Sequence, residues 1–335
     1  MEKLPLIGLG IATVGSSGQT LDVHFPFLVF RNGNGEHDHA YGIWDALMDQ
    51  NTMSLKDLSM IGLKDNSFNS IAANLSDNKK LVLCRIVEDQ KIQTVEEAYL
   101  KLHLLSYRLF KPNSLNLENL FNTLPNVAWT NRGPVELEDI NALIMHAKTT
   151  NKNLEIKSVD KFPRLTDYIV PSGVRIADSS RVRLGAYLSE GTTVMHEGFV
   201  NFNSGTMGAA MIEGRISAGV IVGKDSDLGG GCSTMGTLSG GNEIKISIGK
   251  NCLLGANSGL GIPLGDNCIV EAGLYITGGS KVKKFNAKHE SEGIVKAVDL
   301  SSKDNLLFIR NSLTGAIEAR INLKSVTLNK SLHDN

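Results

Sequence analysis

Within Ile212-Glu-Gly-Arg-Ile216 a carboxylate, Glu213, stands two residues from a guanidinium, Arg215. With Ile212 turned toward a core, period-two alternation along a strand would send Glu213 and Arg215 outward together. Such a pair is either a solvated surface ion pair or the charged part of a site. His196, beside Glu197, is a second residue to weigh. It is the one histidine between Val170 and Val282, so a three-histidine zinc centre would need ligands from neighbouring chains. Glu36-His-Asp-His39 offers two imidazoles, but its spacing reads better as a solvated loop. Gly8-Leu-Gly10 lacks the third glycine and the following helix of a nucleotide fingerprint. Cys84, Cys232, Cys252 and Cys268 share no Cys-x-x-Cys spacing and read as reduced, buried thiols.

The elements that hold these residues show first in glycine usage. Of 34 glycines, 22 fall between Gly185 and Gly279, which marks a separate architecture. Every sixth residue from Val170 gives Ile176, Val182, Leu188, Val194, Val200, Thr206, Ile212 and Ala218. Four positions after each of these lies a mostly small residue, such as Ser180, Ala186, Thr192, Gly198, Ser204 or Ala210. A helix has no period of six; a triangular β-helix of hexapeptides does. The phase slips once and resumes at Val222, Leu228, Ile248, Leu254, Leu264, Val270, Ile276 and Val282. Cys232, Cys252 and Cys268 fall at the small inward position. Leu228 and Ile248 are 20 positions apart where a coil of three hexapeptides needs 18, so residues 234–242 are expected to leave the prism as a loop. Residues 259–264 form a second irregularity.

Before the repeat the chain reads as mixed α/β. Lys80–Val87 has strand composition, Thr94-Val-Glu-Glu97 forms a capping box, and a helix follows with Val95, Ala98, Leu102 and Leu105 on one face. A second helix is expected from Pro134, with Leu137, Ile140, Ile144 and Ala147 inward, then a polar linker from Thr149 to Lys161. After Lys283 the period ends, and 305–312 and 317–322 read as two strands of a cap. Lys and Arg total 34 against 35 Asp and Glu, so no net field points to nucleic acid or membrane. No apolar run approaches a membrane span and no leader is evident, so the expected location is the cytoplasm.

Several runs together resemble the tetrahydrodipicolinate N-succinyltransferases, in the subgroup with a long N-terminal domain. They are Val194-Met-His-Glu-Gly-Phe-Val-Asn-Phe-Asn203, Ile212-Glu-Gly-Arg-Ile-Ser-Ala-Gly219, Met235-Gly-Thr-Leu-Ser-Gly-Gly241, Cys252-Leu-Leu-Gly-Ala-Asn-Ser-Gly-Leu-Gly261, Val270-Glu-Ala-Gly-Leu-Tyr275 and Leu307-Phe-Ile-Arg-Asn-Ser312. The resemblance implies a left-handed β-helix, against the usual right-handed crossover, and an acyltransferase that moves succinyl from succinyl-CoA to the amine of ring-opened tetrahydrodipicolinate, toward diaminopimelate and lysine. It implies Glu213 as the catalytic residue, either general base or acyl-anhydride nucleophile. Arg215, Gly230, Ser233, Ala256, Glu271, Ala272, Gly279 and Lys296 would line the donor and substrate site, with Ile309, Arg310, Asn311 and Ser312 closing over it. Relatives hold Mg²⁺ on a trimer axis through an acidic pair; Glu197 matches one member, while Ser180 stands where the other would be.

The expected architecture is therefore an N-terminal α/β domain (1–110), a helical segment and linker (111–165), the catalytic β-helix (166–284) and a small β cap (285–335), assembled as a homotrimer acting on small molecules. Two rivals are a hexapeptide acyltransferase with another acyl-CoA or amine, and a non-catalytic β-helix assembly subunit.

Overall fold

A computed structural model describes residues 4–30, 74–236, 245–323 and 328; His37 and His39, and most of the expected loop at 234–242, lie outside the described residues. The chain divides into two units, residues 1–103 with 115–163 and residues 104–114 with 164–335.

In the first unit β1 (Leu6–Val14) is the middle strand of an antiparallel sheet, between β2 (Thr20–Phe30) and β3 (Lys79–Ile86). β3 is the strand expected over Lys80–Val87. Gly8 lies within β1 for a packing reason: a β-carbon there would stand 2.7 Å from Leu100 Cδ1 and 2.9 Å from Phe25 Cδ1. Helix α1 (Val95–Ser106) begins after Thr94, whose hydroxyl accepts the Glu97 N–H at 3.2 Å. The Glu97 carboxylate closes the cap from the other side, although on the Gln93 N–H (2.7 Å), one residue earlier than a capping box requires. Val95, Ala98, Leu102 and Leu105 are buried as expected, and so are Tyr99, Leu100 and Leu104.

A short helix, α2 (Leu120–Thr123), precedes a second sheet in the order β5–β4–β6, formed by β4 (Val127–Thr130), β5 (Gly133–Glu136) and β6 (Ile156–Asp160). Two expectations are corrected here. Pro134 sits in β5 opposite Trp129, so α3 (Leu137–Thr149) starts three residues later. The polar stretch before Lys161 holds β6, an edge strand that pairs only with β4, so its side chains stay in solvent and leave no apolar signal.

The second unit is a parallel β-helix. Short strands stack into three sheets, which each coil visits in turn. One sheet holds Phe199–Val200, Arg215–Ile216, Ser233–Thr234, Gly259–Gly261 and Tyr275–Thr277; another holds Tyr187–Leu188, Gly205–Thr206, Ile221–Val222 and Ser247–Ile248. The third stacks Arg175–Ile176, Thr192–Val194, Ala210–Ile212, Ser226–Leu228, Leu253–Leu254 and Ile269–Val270, then continues into the C-terminal strands. Val182, Leu188, Val194, Val200, Thr206 and Ile212 are all buried on the axis. Val170 is not: it is 85% exposed and precedes the first coil.

Register locates the phase slip. Val194 pairs with Ile212, 18 positions on, but Ile212 pairs with Leu228, only 16 on. The two missing residues come from the corner after Ile212, so the next axial residue is Ile216 rather than the expected Ala218. Ile248 stacks on Val222, 26 positions back, and Leu254 stacks on Leu228 with the same interval. The excursion after Thr234 therefore adds eight residues to a coil of 18, where counting from Leu228 suggested two.

At the C-terminal end Leu306–Arg310 pairs in parallel with Ile269–Val270 and antiparallel with Ile317–Ile321, the expected cap strands. A hairpin of Lys281–Phe285 with Ser291–Lys296, absent from the sequence reading, joins the same sheet.

Candidate active site

Glu213 sits on the shortened corner. Strand Ala210–Ile212 ends immediately before it and strand Arg215–Ile216 opens on a different sheet. Glu213 and Arg215 thus belong to two faces of the prism, which corrects the expectation of one strand. Among the described residues no ion pair or hydrogen bond joins their side chains, so the surface ion-pair reading has no support in the geometry. Gly214 completes the corner by lying directly on Cys232, where a β-carbon would overlap both Sγ and the carbonyl oxygen. The backbone is fixed on each side: the Glu213 N–H donates to Leu228 O (2.8 Å), Gly231 N–H donates to Glu213 O (3.2 Å), and Arg215 N–H donates to Cys232 O (2.8 Å).

The corners stacked on this one hold most of the expected site residues. Asn257 N–H donates to Gly230 O at 2.9 Å, and Gly273 N–H to Ala256 O at 2.8 Å, which aligns Gly230, Ala256 and Ala272 on successive coils. Gly231 (φ +71°), Asn257 (φ +56°) and Gly273 (φ +71°) repeat the left-handed turn that makes these corners superpose. A β-carbon on Gly230 would stand 3.7 Å from Glu213 Oε2, so the carboxylate lies over a strip of small side chains. At the far end the Glu271 carboxylate accepts the Arg310 N–H at 2.7 Å, which ties the cap strand to the edge.

The other expected residues fall nearby on the same unit. Arg215 and Ser233 are in-register neighbours on the adjoining sheet. Gly279 lies on the next corner and Lys296 at the end of the unanticipated hairpin, both exposed. Ile309 and Arg310 end the cap strand, and Asn311 opens the turn that includes Ser312. The Asn311 side chain is committed to that turn: its amide donates to Glu318 (2.9 Å) and its oxygen accepts from Leu313 (3.0 Å) and Thr314 (3.1 Å).

The cysteines and the expected metal position each have defined surroundings. All four cysteines are free and buried. Burial first, and then the Asp227 and Glu213 carboxylates, push the Cys232 thiol up to about 12, so it stays protonated at neutral pH and is no nucleophile. At the expected metal position Glu197 is exposed, and Arg181 donates to its carbonyl oxygen at 2.9 Å. The Ser180 hydroxyl and N–H both donate to Asp178 (2.7 and 2.9 Å), which holds that carboxyl below its usual range. Among the described residues no three His, Cys, Asp or Glu side chains gather.

Coils of three short parallel strands define a hexapeptide-repeat β-helix, and the hexapeptide repeat of succinyltransferases matches residues 245–278. The N-terminal and middle domains of tetrahydrodipicolinate N-succinyltransferase match residues 39–122 and 124–164. The 2,3,4,5-tetrahydropyridine-2,6-dicarboxylate N-succinyltransferase of Vibrio cholerae is 47% identical over 98% of both chains. The enzyme of the same name from Pseudomonas aeruginosa is 58% identical over 80% of this chain and 78% of its own. A solved Campylobacter jejuni chain, provisionally described as a 2,3,4,5-tetrahydropyridine-2-carboxylate N-succinyltransferase, superposes with a TM-score of 0.85 at 35% identity, covering 98% of this chain and 94% of its own. The chain belongs to the tetrahydrodipicolinate N-succinyltransferase family, and its β-helix is the left-handed one. Among the described residues no helix is long and apolar enough to cross a membrane.

Proposed function

We propose that the chain transfers the succinyl group of succinyl-CoA to the amine of ring-opened tetrahydrodipicolinate, a step toward diaminopimelate and lysine. The observation that carries this reading is the Glu213 carboxylate, set over the small-residue edge of a chain that matches a succinyltransferase from end to end.

In the direct route the amine nitrogen attacks the thioester carbonyl carbon, the C–S bond breaks, and CoA leaves as its thiolate. Glu213 takes the proton that nitrogen gives up, and the departing sulfur is protonated in turn. In the alternative route a Glu213 oxygen attacks the thioester carbonyl, the C–S bond breaks and CoA leaves as its thiolate, giving a mixed anhydride. The amine then attacks the succinyl carbonyl, the anhydride C–O bond breaks, the Glu213 carboxylate is regenerated and the nitrogen's proton passes to the thiolate. Arg215 would clamp a substrate carboxylate or a donor phosphate in two parallel hydrogen bonds. Gly230, Ala256 and Ala272 would let the extended pantetheine arm approach the backbone. Ser233, Glu271, Gly279, Lys296 and Ile309–Ser312 would complete the donor surface.

Flat coil faces favour a homotrimer, with the donor in the groove between neighbours. Light scattering should then report three times 36.2 kDa. An axial Mg²⁺ would rest on Glu197 from each of three chains. The enzyme would work in the cytoplasm.

Release of free thiol from succinyl-CoA, dependent on tetrahydrodipicolinate and absent with acetyl-CoA, is the expected result. Equal rates with both donors would refute the succinyl assignment. Succinyl-CoA with hydroxylamine, without the amine, yields a Glu213 hydroxamate only if the anhydride forms.

A further inference from the structure

Four lysines on the strands of the hairpin Lys281–Phe285/Ser291–Lys296 have different surroundings. Lys284 pairs with Glu292 at 2.6 Å, and the Lys283 ammonium lies 5.2 Å from the centre of the Phe285 ring. Lys281 and Lys296 are direct partners in the antiparallel register, both are exposed, and among the described residues neither forms an ion pair. Directly opposed residues on an antiparallel pair point to the same side, and like charges there repel. The adjacent residue, Val282, is buried opposite Val295, so the two lysines face away from the core.

The backbone fixes this opposition. Ala297 N–H donates to Ser280 O (2.8 Å), Val298 N–H donates to Gly278 O (3.1 Å), and the Lys296 N–H is held by Asp299 at 3.1 Å. The lysine pair therefore stands beside the Gly278–Gly279 turn, and a β-carbon on Gly279 would meet nothing within 4 Å. Two lysines held opposite each other by the backbone next to open space, neither in an ion pair among the described residues and with the nearby Asp299 carboxylate engaged on the Lys296 N–H, suit an anion that bridges them. Lysine is a frequent partner of phosphate, acting as a point charge.

We propose that Lys281 and Lys296 jointly hold a phosphate of the acyl-CoA, with Lys281 a binding residue that the resemblance does not assign. This rests on the acyl-CoA reading above. The experiment is calorimetric binding of CoA and of 3′-dephospho-CoA to the full chain, with Lys281→Ala, Lys296→Ala and, as a surface control on the same hairpin, Lys288→Ala. Lys281→Ala and Lys296→Ala should each weaken CoA about tenfold at low salt, with the gap narrowing in concentrated NaCl, while Lys288→Ala stays within about twofold. Loss of the effect with 3′-dephospho-CoA would identify the 3′-phosphate, and its persistence the diphosphate; either supports the pair. Unchanged CoA affinity in Lys281→Ala overturns the proposal. If the wild type also releases thiol from succinyl-CoA, the proposed function survives that result. A wild type that neither binds CoA nor releases thiol removes both.

Discussion

Oε2 of Glu213 faces Gly230 across one coil step, 3.7 Å from where a β-carbon on that glycine would stand. The carboxylate lies on a corner two residues shorter than the neighbouring corner after Val194, and it overlooks the more extended corner built by Gly229, Gly230 and Gly231. On the proposed donor path an acyl group reaching Glu213 would pass over Gly230.

Bulk at Gly230 should therefore obstruct that approach. Gly230→Ala adds one methyl at ordinary contact distance and should cost little. Gly230→Val should lower kcat/KM at least tenfold while the melting temperature moves by a few degrees at most, since the added atoms point to the carboxylate side. Steady-state kinetics with succinyl-CoA as the varied substrate checks this; an active Gly230→Val variant contradicts the proposed path.

Arg215→Lys replaces a planar fork by a single ammonium. Specificity for substrate or donor should fall by roughly 1.5–3 kcal/mol, the range for a hydrogen bond to a charged group. An unchanged kcat/KM would make Arg215 a surface residue only.

Gly214→Ala tests the corner itself. The new β-carbon would overlap Cys232 Sγ and its carbonyl oxygen, and the axis around Cys232 is packed. Overpacking of this kind costs about 1–3 kcal/mol, which chemical denaturation can read. Adding Cys232→Ala should recover only part of the loss, because the backbone clash remains.

His103 sets a pH dependence in the first unit. Its Nδ1 lies 2.8 Å from Tyr99 O, its Nε2 accepts the Phe25 N–H at 3.3 Å, and burial lowers its pKa from 6.5 to about 3. Between those values the unfolded chain binds a proton that the folded chain refuses, so the stabilising contribution is complete above pH 6.5 and is lost as pH falls toward 3. The slope approaches 1.4 kcal/mol per pH unit well below pH 6.5. Urea denaturation at two pH values should show a steeper slope in the wild type than in His103→Gln, the difference approaching that figure; identical slopes would contradict it.

The hexapeptide lattice was legible because axial positions from Val182 to Ile212 keep strict spacing and are apolar or Thr. The notch was not, because a count of six lands on Ala218, a plausible inward residue, whereas register places Ile216 on the axis. The long excursion was underestimated for a related reason: Leu228 and Ile248 occupy different faces and never stack. β6 left no trace because an edge strand with exposed side chains has no alternation to read. Pro134 suggested a helix start, yet the same fixed φ suits an outer strand opposite Trp129. Most candidate site residues were named by motif resemblance, and what the motif did not supply was their arrangement. Glu213 and Arg215 lie on different faces, while Gly230, Ala256 and Ala272 share one edge. Lys281 was missed because its signal is a cross-strand neighbour, Lys296, fifteen positions away in sequence.

If Glu213 performs the chemistry, Glu213→Gln should abolish turnover. The substitution keeps size and hydrogen-bonding reach but removes basicity and nucleophilicity, so either route fails. Glu213 is off the prism axis, so melting temperature and CoA affinity should hold close to wild type. The measurement is turnover by thiol release at saturating succinyl-CoA and tetrahydrodipicolinate. Turnover should fall at least ~10²-fold, the lower end for general acid–base catalysis. Near-normal turnover would contradict it and redirect attention to His196.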